Sequence, residues 1–375
     1  MLEKLWVKNY RSLGHVEVDF GDLTVLVGLN GSGKSNLIDV LRFVSDALLV
    51  GLDIAVFKRM GSLRRWSANG RPYDVEIGLA IRTENFSAQY EFVLGTFNNR
   101  LGEYCVKRES CVVEKEGQTS EFKTEDRKWV KKPEWIHADI QSAALFLPIL
   151  ARIKPYQEVY DFLKGMSFYN IFPTALRERQ KFVNPYPLEG NGQNFAVALF
   201  ELERHQSELA QKLKSAINFV LQEIEDYQID QAGGHMVVKL RHDYSENGQT
   251  PWFELAQESD GTLRMLGILM ALYQEPPRTI IALEEPELTV HSDRIVRLWE
   301  EIEHASERSQ IILTTHSPDL LDLCTVDQLR VVEKIEGITY IGVLDEIQRK
   351  IVQEHRFSIG QVLRARGQLR RAGRS

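Results

Sequence analysis

Cysteine is scarce in this sequence. Only Cys105, Cys111 and Cys324 occur among 375 residues, and none is spaced from another as zinc ligands are, so no metal site is expected from them. An odd count without a framework reads as reduced thiols of a cytoplasmic protein rather than as a disulfide scaffold. Long apolar runs are missing too: nothing approaches the roughly 18 residues a membrane helix needs. The opening MLEKLWVKNYRSLG is charged and lacks the apolar centre of a secretory signal. Positive charge is not in excess, because 53 acidic against 46 basic residues leave a net charge of −7. Nothing global therefore draws the chain to nucleic acid, and any such contact needs a local patch. Internal repeats and low-complexity tracts are also absent. What remains is a globular composition, 43% hydrophobic and 26% charged, with material for one large domain or two interleaved ones.

The hydrophobic pattern begins in strands, KLWVKNY, HVEVDF and the short apolar run LTVLVG, and continues in a helix, KSNLIDVLRFVSDALLV. DVEIGLAIR, AQYEFVLG and EYCVKRESCVVEK read as further strands, and the charged stretch after them as a loop or exposed hairpin. Residues 137–228 read as mainly helical, with 193–228 the longest helical candidate. From 236 onward strands and helices alternate, as in a parallel sheet flanked by helices. The expected fold is α/β, with a mixed or parallel central sheet, flanking helices, an N-terminal antiparallel β region and a helical lid insertion. The expected division is 1–130, an N-terminal lobe; 131–235, the lid; 236–330, a C-terminal lobe; and 331–375, a terminal strand, helix and basic tail.

Between a predicted strand and a predicted helix lies GLNGSGKS, Gly28 to Ser35, which fits G-x-x-x-x-G-K-[ST]. Glycines let backbone N–H groups curl around phosphates, and the following helix N-terminus presents a positive dipole end. Asn30, Gly31, Ser32, Gly33, Lys34, Ser35 and Asn36 form the expected nucleotide-binding loop. Lys34 reaches the β- and γ-phosphates, and Ser35 ligates Mg²⁺. No Asn-Lys-x-Asp sequence of the guanine-reading kind occurs, so ATP is the expected nucleotide.

TIIALEEPEL, residues 279–288, is a buried strand running into two carboxylates. Glu284 is expected to orient Mg²⁺, through water given its longer arm, and Glu285 to act as the base toward the attacking water. QIILTTHSPDLL is a second buried strand, and His316 at its end suits a γ-phosphate sensor. His291 reads as part of a helix start. A third stretch, QESDGTLRML, places Ser259 and Asp260 as N-cap residues and Gly261 at the opening of an apolar helix.

Taken in order, LWVKNYRSLGHVEVDFGDLTVLVGLNGSGKSNLIDVL, ESDGTLRMLGILMAL, IIALEEPEL and ILTTHSPDLL resemble the ABC-type ATPases of the RecF, SMC and OLD group. More narrowly, they resemble the compact stand-alone ATPases of bacteria, whose relatives serve antiphage systems such as Septu and PARIS. PLEGNGQNFAVALFEL is similar to the segment ahead of their lid helix. The resemblance implies that Ser259, Asp260 and Gly261 form a signature motif contacting the γ-phosphate held by another subunit, so that two copies close head to tail around ATP. It also implies a higher homo-oligomer or homodimer, and a protein effector encoded nearby, a nuclease or toxin. Arg11 matches a basic residue that some relatives place near the nucleotide. Two departures stand out: Glu284 replaces the usual aspartate, and Ser292 the usual proline.

The insertion between Lys34 and Ser259 is too short for a long coiled-coil arm and lacks sustained heptads. No Asp-x-Asp follows His316, so no nuclease activity is expected of this chain. Two basic patches are candidate DNA or RNA contacts: 57–71, with Lys58, Arg59, Arg64, Arg65 and Arg71 around Phe57 and Trp66, and 355–375, with six arginines and no acid. A RecF-like DNA-binding ATPase is the alternative reading, and a transporter ATPase a more remote one.

Overall fold

A computed structural model describes residues 1–59, 63, 72–95, 104–133, 144–181, 187–243 and 251–373. The backbone gathers into two compact units that interleave along the sequence, the first made of residues 1–166, 326–354 and 368–375, the second of 167–325 and 355–367.

In the first unit, Leu2–Tyr10 and Leu13–Asp19 pair antiparallel. Val75–Arg82, Ser87–Gly95, Cys105–Lys115, Gln118–Glu125 and Lys128–Lys131 extend the sheet from Leu2–Tyr10 as an antiparallel meander. On the other side Ile338–Gly342 runs parallel to Leu13–Asp19, and Leu329–Ile335 parallel to Leu23–Val27. All five residues of Leu23–Val27 are buried, which is why that strand reads as an unbroken apolar run. The helix Lys34–Leu49 covers the sheet with Leu37, Ile38, Val40, Leu41, Phe43, Val44, Ala47 and Leu48. The charged stretch expected as a loop or hairpin is a hairpin over 118–131, turning at Asp126 and Arg127, both at positive φ.

In the second unit, Ile280–Glu284 and Gln310–Thr315 lie side by side and parallel, with Ser292–Ser306 as their crossover helix. A smaller antiparallel sheet joins Gln180–Lys181, Ile224–Ala232, His235–His242 and Trp252–Glu254. Asp260–Leu272 is buried on nearly every side.

The sequence reading of one long helix over 193–228 needs correction. The chain forms Phe195–His205 and Ser207–Val220, broken at Gln206, and then the strand Ile224–Ala232. The break falls within Glu203–Glu208, a run with no buried residue and so no packing to keep the helix straight. Beyond it, Gly233 and Gly234 at positive φ turn the strand back into its partner. Among the described residues no helix is long and apolar enough to cross a membrane.

Candidate functional site

The phosphate loop leaves the buried strand Leu23–Val27 and enters the helix Lys34–Leu49. Gly33 is the helix N-cap at φ 110°, and a Cβ there would lie 2.2 Å from Thr339 Oγ1. No other residue fits both the dihedral and the space. Lys34 is buried, and its Nζ donates to the carbonyls of Gly28 at 2.7 Å and Leu29 at 3.3 Å, so the ammonium sits within the curl of the loop. Ser35 is exposed at the first turn, while the Ser32 hydroxyl is buried with no hydrogen-bond partner.

A brace behind the loop escaped the sequence reading. Thr339 Oγ1 donates to the Ser32 carbonyl at 2.7 Å and lies 2.7 Å from Ser12 Oγ, which accepts from Asn36 Nδ2 at 2.7 Å. Nothing in ITYIG, where Thr339 sits, signals that role. Arg11 adopts φ 48°, and its guanidinium pairs with Asp39 of the phosphate-loop helix at 3.0 Å.

The acidic strand end belongs to the second unit. Glu284 is the last residue of its strand, and Glu285 follows at φ 45° with its N–H donating to Thr314 O at 3.0 Å and approaching Thr314 Oγ1 at 3.2 Å. That hold turns the Glu285 side chain toward the next strand, where His316 Nδ1 lies 3.2 Å from Glu285 Oε1. The distance permits an ion pair when the imidazole is protonated, although the nitrogen is not aligned as a hydrogen bond. Both groups remain partly exposed, 28% for Glu285 and 40% for His316. His291 is an exposed N-cap whose side chain makes no cap bond.

Ser259 caps the helix Asp260–Leu272, accepting from Thr262 N at 3.1 Å. Gly261 is needed for close approach: a Cβ there would meet the Thr289 carbonyl at 2.6 Å, in the segment just beyond the acidic strand. Asp260 places a carboxylate at the mouth of the helix, and Arg177 answers it at 2.6 Å while also donating to Glu258 O at 2.8 Å. Asn194, in the segment ahead of the lid helix, bridges Pro187 O and Glu189 N and so shapes that turn.

The basic patches change character. Arg59 is buried between Asp39 and Asp46, each 3.0 Å away, and stacks on Phe43, so it belongs to the core and not to a nucleic-acid surface. Lys58 pairs with Asp46 at 2.8 Å. Arg64, Arg65, Trp66 and Arg71 lie outside the described residues. The described part of the tail, to residue 373, is folded: Ile359–Arg366 is a capped helix, Arg364 pairs with Asp319 and Asp322, and Arg371 lies over the Tyr340 ring.

A family model described as "AAA domain, putative AbiEii toxin, Type IV TA system" matches residues 23–322. The SMC head bound to the C-winged helix domain of ScpA superimposes with a TM-score of 0.54 at 14% identity, over 94% of this chain and 99% of that one. The SMC head domain from Thermotoga maritima gives 0.46 at 14% identity, over 92% and 99%. An Smc head with an extended coiled coil, bound to the C-terminal domain of ScpA derived from Pyrococcus furiosus, gives 0.49 at 14% identity, over 95% and 99%. No curated protein sequence matches. With the SMC-head fold, and with the model matched from the phosphate-loop strand to the helix beyond His316, the chain belongs to this AAA-domain family.

Proposed function

We propose that the protein is an ATP-hydrolysing switch whose copies close head to tail over ATP and reopen after hydrolysis, controlling a protein effector. The observation that carries this reading is Glu285 beside His316 at the ends of two neighbouring parallel strands, in a chain that also holds a complete phosphate loop. Glu285 takes a proton from the attacking water, and His316 beside it senses the γ-phosphate. Lys34 and the loop amides hold the phosphates.

Among the described residues no three His, Cys, Asp or Glu side chains gather as a metal site. Mg²⁺ is typically bound by one or two protein groups together with substrate phosphates. Ser35, exposed at the helix start, and Glu284, at the strand end, are the groups that would hold it; it would neutralise phosphate charge. Arg11 reaches the same helix through Asp39 and is the candidate basic contact.

In trans, Ser259 and the amides around Gly261 offer a capped helix start to a neighbour's γ-phosphate, with Arg177 balancing Asp260. An effector role follows from the likeness to antiphage ATPases and from the toxin–antitoxin description of the family. The SMC head in the superimposed structure carries a bound protein domain, which accords with a protein partner here. A DNA-binding role is less well supported, because Arg59, Arg364 and Arg371 are engaged within the fold.

The test is mass in solution for Glu285→Gln with and without Mg-ATP, beside the same protein carrying Ser259→Arg. ATP-dependent growth in mass that Ser259→Arg abolishes is the expected result. An unchanged mass calls for mixtures of Lys34 and Ser259 variants, and failure of those mixtures to recover ATPase activity overturns the trans site.

A further inference from the structure

Glu287 follows the acidic strand end and points inward, 7% exposed. Its Oε1 accepts from Thr315 Oγ1 at 2.5 Å and from the His316 N–H at 3.4 Å, while Oε2 is buried without a partner. Burial raises its pKa above the usual carboxylate range, and the bonds from Thr315 and His316 work against that rise. A buried acid with an open oxygen costs stability, so packing alone does not account for a glutamate here.

A second buried charged side chain lies on the signature helix. Arg264 is 7% exposed and its Nε has no partner. Burial lowers its pKa, and Glu287, Asp260 and Glu285 are the charges that counter the effect, Glu287 most strongly. The same helix meets the segment after the acidic strand where Gly261 lies against the Thr289 carbonyl. Thr315 links the parts: its hydroxyl donates to Glu287 and accepts from Ser317 N at 3.0 Å, fixing the backbone on both sides of His316.

We propose that Glu287 is a positioning residue for hydrolysis, setting His316 against Glu285 through Thr315 and the His316 backbone. The proposal rests on Glu285 being the base.

The experiment is steady-state Mg-ATP hydrolysis and thermal melting of the full chain as Glu287→Ala, Glu287→Gln, Thr315→Val and Glu287→Ala with Thr315→Val, with Glu285→Gln as control. Glu287→Ala is expected to lower kcat about ten- to a hundredfold with KM within about twofold, the pattern of a lost orienting partner. Glu287→Gln keeps an acceptor oxygen for Thr315 and His316 and is expected to recover most of kcat. Thr315→Val is expected to lower kcat in the same way, and the double variant to fall no further than the worse single, because both changes cut one connection. An unimpaired Glu287→Ala, a kcat loss that Gln does not relieve, or additive losses in the double variant would overturn the proposal. Should Glu285→Gln still hydrolyse ATP, the reading of the base itself fails; should it be inactive while Glu287→Ala is not impaired, only the positioning role fails.

Discussion

Thr339 and Ser32, 307 positions apart, are joined by a 2.7 Å hydrogen bond from the threonine hydroxyl to the serine carbonyl. The phosphate loop is therefore held from behind by a strand that arrives late in the chain. Replacing Thr339 by valine keeps the shape but strands a buried carbonyl, at a cost of about 1–3 kcal/mol. We expect Thr339→Val to lower the melting temperature and weaken ATP binding about five- to tenfold, a penalty of about 1 kcal/mol from a less ordered loop. Displacement of a fluorescent nucleotide measures it; affinity equal to wild type would mean the loop needs no brace.

Arg177 supplies a second prediction. It neutralises Asp260 where the helix N-terminus would receive a phosphate. Arg177→Ala leaves the carboxylate to repel that anion. In the Glu285→Gln background, ATP-driven association is expected to weaken about fivefold or more, and the effect to shrink in high salt. Sedimentation at two ionic strengths reads both. Association that is as strong without Arg177 would remove Asp260 from the interface.

Much of the fold was legible because it follows local rules. The alternation in HVEVDF, the apolar run LTVLV and the cap Ser259 each point to the element that forms. Glu285 and His316 were legible as strand ends, and the parallel pairing of their strands brings them together. What the sequence concealed is long-range. Thr339 and Ser12 gain meaning only when the sheet places Ile338–Gly342 beside Leu13–Asp19. Glu287 was visible in EEPE, but its inward hold depends on Thr315, 28 positions further on. The expectation of one helix over 193–228 fails for a similar reason: helical periodicity on either side of an exposed run says nothing of whether the helix continues through it, and Gly233–Gly234 carries the hairpin signal.

Arg59 tests the revised view of the first basic patch. Its side chain is 4% exposed between two aspartates that are 15% and 18% exposed. Removing it takes the buried cation from both acids and leaves Asp39 to Arg11 and Asp46 to Lys58, which costs up to about 3 kcal/mol, against less than about 0.5 kcal/mol for an ordinary surface residue. Arg59→Ala is expected to destabilise strongly in denaturant titration. A variant as stable as wild type would return Arg59 to the surface and reopen the nucleic-acid reading.

Glu109 gives the protein a pH dependence of unusual sign. It is fully buried, its carboxylate accepts from Tyr90 OH at 2.9 Å, Phe146 N at 2.5 Å and Leu147 N at 3.0 Å, and burial pushes its pKa up to about 7 in spite of those bonds. The folded protein thus binds this proton more tightly than the unfolded chain, whose carboxyl titrates near its usual 4.5. The stabilisation is complete below about pH 4.5, falls as pH rises toward 7, and is gone above it, a change of roughly 3 kcal/mol across the window. Other carboxylates move the opposite way, so the signal lies in a difference. Relative to Glu109→Gln, wild type should lose stability steadily from pH 5 to pH 7 and hold level beyond. Denaturant midpoints taken at half-unit steps and constant ionic strength follow that difference. A gap that stays constant, or widens in favour of wild type as pH rises, would show that the three donors outweigh burial and keep Glu109 ionised throughout.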